Sequence, residues 1–362
     1  MKSCRWIAAV ATASMLSGCE LLVFNAAGDV AVQQGNLIIY STVMMLLIIV
    51  PVLALTIFFA IKYRESNTRS TYAPDWDHSI SLEVIVWTVP LAIIICLAGL
   101  TWVATHRLDP YQPLSRVSVD KPIDENVRPL VIQVVAMDWK WVFLYPEYDI
   151  ATVNEAATVV DRPVEFQITS TTVMTAFHVP DMGGMIYAMP GMQTTLNAVL
   201  NEAGDFPGQA SHYNGAGFSQ MNFRMKAFET EAGFAEWAET VRDGAPAFDR
   251  AAAIALDAKS IDHPVEYYSG IAEGLWDRIL NMCLAEGKIC RHDMMMVDAL
   301  GGGGLDGLYN REMFAGICAA EDPWALMKLI KPEMAARSEQ FVKAVIPPVP
   351  GASPFQSQTT VE

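Results

Sequence analysis

Two soft-metal donors, His212 and Met221, lie within GQASHYNGAGFSQM at residues 208–221. Imidazole nitrogen and thioether sulfur both bind copper. More such donors precede them in VMTAFHVPDMGGMIYAMPGMQT at residues 173–194: His178, Met182, Met185, Met189 and Met192. A blue copper site needs a thiolate, and a dinuclear centre needs two that bridge the metals. No cysteine occurs between Cys96 and Cys283. Rescue by Cys283 or Cys290 would have to come from a different part of the chain. Methionine-rich loops more often fill irregular packing gaps than hold metal. A metal site is therefore not expected here.

A third cluster, CLAEGKICRHDMMM at 283–296, also joins Cys, His and Met, but without a recognised ligand spacing. A disulfide between Cys283 and Cys290 is permitted there, not demanded, and a free helix end is an alternative. Nucleophile constellations and nucleic-acid patches are absent from the pattern, so no catalytic group is assigned. The glycine run 301–304 follows no strand pattern and opens no phosphate-binding motif. The net charge of −16 suits a solvated, soluble surface better than docking of a basic partner.

The elements that carry these loops begin at a membrane. The chain has 362 residues, 52% of them hydrophobic, and a mean hydropathy of +0.26. Lys2 and Arg5 precede an apolar run at 6–16 that is too short to span a bilayer. Leu16-Ser17-Gly18-Cys19 follows, in the form of a bacterial lipobox. Residues 1–18 read as a lipoprotein signal peptide and Cys19 as the lipidated new N-terminus; an ordinary secretory signal is the alternative. Acyl chains such as palmitate contribute about 0.8 kcal/mol per buried methylene, so several would hold this end on the membrane.

Residues 37–61 and 84–104 are uncharged and long enough to cross the hydrocarbon core. Pro51 is tolerable in such a helix. The short loop between them carries Lys62, Arg64 and Arg69, which marks the cytoplasmic side. Both ends of the hairpin then face outward, in agreement with a lipidated Cys19. Residues 129–228 read as short strands, among them RPLVIQVVAMDWKWVFLYP, VEFQIT and TTLNAVL. Turns are expected at Asp161-Arg162-Pro163, Met189-Pro190-Gly191 and Phe206-Pro207-Gly208. This spacing predicts an antiparallel sandwich or Greek-key barrel. Phe234, Trp237 and Val241 fit one helical face; Ile271, Leu275, Ile279 and Met282 fit another.

Several long motifs, in order, resemble subunit II of the haem–copper oxidases. KYRESNTRSTYAPDWDHSISLEVIVWTVP (62–90) resembles that family's loop and second span, and DWKWVFLYPEYDIATVNE (138–155) its aromatic-rich strand. The stretches 173–194 and 208–221 resemble its two copper-site loops. The likeness covers roughly residues 19–295. It implies a membrane-anchored α+β chain with a transmembrane hairpin at 19–107 and a cupredoxin-like antiparallel β-sandwich at 117–230. A C-terminal helical region at 231–296 follows, and 297–362 hold a Gly-rich joint, a possible helix and a Pro-rich tail.

In the cytochrome c oxidase branch the later loop reads C-x-E-x-C-x-x-x-H-x-x-M. On this sequence those positions fall on Ala210, His212, Asn214, Phe218 and Met221. The further histidine of the earlier loop falls on Thr175; His178 is three residues beyond it. Only Met221 is retained. The resemblance therefore points to the bo-type ubiquinol oxidases, whose subunit II keeps the fold without copper. It implies haem b, haem o and copper in a partner catalytic subunit I, with smaller membrane subunits alongside. Ubiquinol is the complex's reductant, and the location is a bacterial inner membrane with the C-terminal domain in the periplasm. A copper-bearing cytochrome c oxidase subunit and a stand-alone copper-handling lipoprotein are the alternatives. Glu83 matches the family's acidic residue at the mouth of a proton path; a merely solvated charge is the other reading. Trp139, Trp141, Phe143 and Tyr145 share one strand parity and read as sandwich core and partner contact.

Overall fold

The computed structural model describes residues 24–70, 75–123, 127–285, 288, 290–292 and 295. The signal segment 1–18, Cys19 and everything expected at 297–362 lie outside the described residues.

Helix α1 (Asp29–Lys62) and helix α2 (Ile80–Arg107) form the hairpin, with Pro51 and Pro90 inside them. They are longer than the uncharged runs within them. At 1.5 Å per residue, α1's 34 residues extend roughly 50 Å, well past a ~30 Å hydrocarbon core. The surplus carries polar groups, Asp29 and Gln33 at one end and Lys62 at the other. No residue in the most apolar window of either helix is buried within this chain. Lipid or partner helices must cover it.

Beyond Leu108 most of the described elements are strands. A small pair, β1 (Arg116–Ser118) and β2 (Lys121–Pro122), precedes β3 (Leu130–Met137), β4 (Lys140–Tyr145), β5 (Ile150–Val153) and β6 (Glu155–Val159). Then come β7 (Val164–Ser170), β8 (Thr175–His178), β9 (Met185–Ala188), β10 (Thr194–Ala198), β11 (Gly204–Ala210) and β12 (Asn222–Phe228). The later part adds α3 (Glu231–Arg242), β13 (Ala247–Phe248), α4 (Arg250–Asp257), β14 (Glu266–Ile271) and α5 (Leu275–Leu280).

Two sheets make the sandwich, in orders β10-β7-β3-β4-β5-β14-β13 and β6-β12-β11-β8-β9. Most neighbours are antiparallel; β3 with β7, β6 with β12 and β13 with β14 are parallel. Strand β4 is buried on both faces, which explains its unbroken apolar run. Trp141, Phe143 and Tyr145 point into the sandwich core, beside Phe177 and Phe223. Val142 and Leu144 point the other way, into a second core with Phe248, Leu256, Leu275 and Ile279.

The C-terminal region is thus not helical throughout. Two of its strands extend the larger sheet, and α4 and α5 cover that sheet's outer face. Ile271 closes strand β14, paired through Glu266–Ser269 to β5, so its helical spacing with Leu275 and Ile279 is coincidental. Met282 lies beyond α5 with φ of 60°. Helix α3 does present Phe234, Trp237 and Val241 to the core. Its Thr230 cap accepts from Gly233 N at 3.2 Å.

The expected turn at Phe206-Pro207-Gly208 is instead the middle of β11. Pro207 is opposite Arg224 of β12, whereas β8 pairs only with Gln209 and Ala210. One side of the strand is open at Pro207, where a missing N–H is tolerated.

Buried polar groups bind the later region to the sandwich. Lys140 Nζ donates to the Leu256 and Ala258 carbonyls, both at 2.7 Å, at the C-terminal end of α4. Burial pushes this lysine's pKa down, while Asp257, Asp138 and Glu266 act against the shift. Glu155 accepts from Trp237 Nε1 at 3.1 Å and from the Tyr267 hydroxyl at 2.7 Å, and pairs with Lys226 at 2.8 Å. Cys283 and Cys290 are joined in a disulfide.

Candidate functional site

Strands β8 and β11 bring the two donor-bearing stretches side by side, with Phe177 opposite Ala210 and His178 opposite Gln209. The loop after β11 folds back so that Ala210 N donates to Met221 O at 3.1 Å. Ser211 N donates to Ala176 O at 3.0 Å, and Thr175 Oγ1 to His212 O at 3.4 Å. Thr175, Ala210 and Met221 are all buried.

Asn214 stands at a position where a copper loop has a bridging thiolate. Its Nδ2 donates to Met221 Sδ at 3.0 Å. Its Oδ1 is buried without a hydrogen-bond partner among the described residues. Phe218 is half-buried and meets Tyr213 edge-on at 5.6 Å. The His212 ring meets Tyr187 at 5.7 Å. The donor set is thus one amide, one imidazole, one thioether already engaged, an alanine methyl, a threonine and a phenyl ring. It contains no thiolate and does not fit a dinuclear copper centre. Among the described residues, no group of three or more His, Cys, Asp or Glu could hold a metal ion. Cys283 and Cys290, bonded to each other, offer no thiolate either.

Trp139 seals this loop, and sequence reasoning missed that role. It is not part of β4: its φ is 64°, in the tight turn between β3 and β4. The ring thereby leaves the strand's side-chain alternation and lies over the loop, with Nε1 donating to Asn214 O at 3.3 Å. A Cβ at Gly217 would sit 2.4 Å from Trp139 Cγ, and one at Gly215 3.3 Å from its Cζ2. The two glycines at 215 and 217, flanking a small residue, were the available signal. They are small because an indole covers them.

The other donors are scattered. Met182 is buried, while Met185 and Met192 are exposed. His178 is half-buried, and burial lowers its pKa.

Glu83 sits in the first turn of α2, at the opposite end of the hairpin from the sandwich. Its Oε1 is 2.6 Å from His78 Nδ1. Both side chains are a little over half exposed, at 55% and 56%.

The hairpin, the sandwich and the closed loop define a subunit II of the haem–copper oxidase type. The family model for the cytochrome c oxidase subunit II periplasmic domain matches residues 150–228. The COX aromatic rich motif matches residues 242–287. Cytochrome bo(3) ubiquinol oxidase subunit 2 of Pseudomonas aeruginosa is 43% identical over 276 residues, covering 76% of this chain and 80% of that protein. Ubiquinol oxidase subunit 2 of Acetobacter aceti is 42% identical over 271 residues, covering 75% and 85%. The periplasmic domain of subunit II of cytochrome oxidase from Bradyrhizobium japonicum superposes with a TM-score of 0.30 at 26% identity, over 31% of this chain and 91% of that one. The chain belongs to the subunit 2 family of the cytochrome bo-type ubiquinol oxidases.

Proposed function

We propose that this chain is the non-catalytic second subunit of a proton-pumping ubiquinol oxidase in a bacterial inner membrane. The complex oxidises ubiquinol, reduces oxygen to water and moves protons outward. Haem b, haem o and copper belong to the catalytic partner subunit. The observation that carries this reading is the Asn214–Met221 hydrogen bond beneath Trp139. A domain whose electron port is filled by an amide and sealed by an indole cannot accept electrons from a soluble donor. Quinol dissolves in lipid and delivers electrons within the membrane, so no port is required.

Positive charge between the spans supports a cytoplasmic loop and a periplasmic sandwich. Cys19 is proposed as a lipid anchor on the same periplasmic side. Glu83 is proposed to load a proton path into the catalytic subunit. Its 2.6 Å contact with the solvent-exposed His78 supports this, because a hydrogen-bonded side chain open to the cytoplasm can pass a proton to the carboxylate.

Purifying the tagged chain with whatever accompanies it tests the main reading. Co-purifying b- and o-type haem with quinol-dependent oxygen uptake is expected; a haem-free chain would contradict it. Glu83→Gln in the assembled enzyme should slow turnover and pumping. Unchanged rates would remove Glu83 from the proton path and leave the rest standing.

A further inference from the structure

We propose that the cleft where the hairpin meets the sandwich binds the headgroup of a zwitterionic phospholipid from the outer leaflet. The cleft encloses about 510 Å³ and is lined by Asp29 and Gln33 of α1, Arg107 of α2, Asp109 of the linker, Arg116 of β1, and Asn197 of β10.

Depth is the first argument. Gln33 lies four residues before the apolar run 37–61, and Arg107 three residues after 84–104. At 1.5 Å per residue these are about 6 Å and about 5 Å beyond the hydrocarbon. The polar layer of a bilayer is about 5–8 Å thick on each side. The cleft is level with the headgroups.

Charge is the second argument. Arg116 is already satisfied: its Nε and Nη2 donate to the two Asp29 oxygens at 2.9 and 3.0 Å, and Asp29 also accepts from Gln33 Nε2 at 2.7 Å. Arg107 makes no hydrogen bond or ion pair among the described residues. Asp109 accepts only from the Tyr111 backbone N–H, at 3.0 Å. The cleft thus holds one uncommitted guanidinium and one uncommitted carboxylate that do not pair with each other. A cation in the last turn of α2 also suits the helix dipole. The dipole gives no reason for a carboxylate in the same cleft. A phosphate on Arg107 and a primary ammonium on Asp109 satisfy both charges at once. An anionic headgroup would leave Asp109 facing like charge.

Native mass spectrometry of the delipidated, assembled oxidase tests this, with phosphatidylethanolamine, phosphatidylglycerol or diacylglycerol returned separately. The wild-type complex should retain phosphatidylethanolamine about tenfold better than the other two, the scale of one charge-assisted contact. Arg107→Gln should abolish that preference and Arg107→Lys should keep most of it. Arg107 is exposed and unbonded, so folding is not at risk. Equal retention of the three lipids, or an unchanged preference in Arg107→Gln, would overturn the proposal. So would displacement of the lipid by inorganic phosphate alone, which would mark a free-anion site.

Discussion

The side-chain amide of Asn214 donates its hydrogen bond to the sulfur of Met221, 3.0 Å away. Met221 is the one ligand position that still carries the copper loop's own residue. Its lone pair is now used inside the protein. Asn214→Ala should lower stability by about 1 kcal/mol, since a weak bond is lost while a buried unpaired oxygen is also removed. Quinol-driven oxygen uptake by the assembled complex should stay at the wild-type rate. A large fall in uptake with intact assembly would mean that the loop does more than pack.

Gly217 and Trp139 exclude each other's growth. Gly217→Ala places a methyl 2.4 Å from the indole, which must swing away. A loss of about 1–3 kcal/mol is expected, with red-shifted tryptophan emission. Combining it with Trp139→Ala should recover part of the loss, giving a coupling of about 0.5–3 kcal/mol in a double-mutant cycle. Strict additivity would show that the indole does not cover this glycine.

Lys140 is a buried cation whose ligands are two carbonyls at the end of α4. Lys140→Met removes it and leaves both carbonyls short of a donor. The expected loss is about 2–4 kcal/mol, felt in α4 before the sandwich. Hydrogen exchange in the assembled complex should accelerate across 250–258 and change little in β3 and β7. Uniform acceleration would show that Lys140 supports the whole domain.

Burial holds His178 below its ordinary pKa of 6.5. Above that value the ring is neutral both folded and unfolded, and its contribution to stability is fully present. As pH falls below 6.5 the unfolded chain takes up the proton first, and stability is lost until the folded value is passed. Unfolding midpoints of the wild type should therefore drop more steeply below pH 6.5 than those of His178→Gln. Parallel curves would assign the acid sensitivity elsewhere.

Much of this was legible from residue types. Charge-free runs gave the hairpin, since a bilayer leaves few alternatives. The absence of thiolates near His212 and Met221 argued against a dinuclear copper centre by coordination chemistry alone. Trp141, Phe143 and Tyr145 were readable as core because strand alternation is local. Trp139 broke that alternation through a positive φ, which no side-chain pattern reports. Ile271 was misplaced because three-to-four spacing also arises by chance across a strand, a turn and a short helix. Lys140's partners lie more than a hundred residues away, so nothing near it in sequence announced a buried cation. Pro207 read as a turn because its tolerance depends on which neighbouring strand stops short.

The central claim is that electrons do not pass through the exported domain. Oxygen uptake by the purified, assembled oxidase, driven in turn by ubiquinol and by a reduced soluble c-type cytochrome, tests it most directly. Uptake with ubiquinol alone, and no mixed-valence dicopper signal in the paramagnetic spectrum, is the predicted result. Rapid oxidation of the soluble cytochrome, or two coppers bound stoichiometrically by this chain, would contradict it.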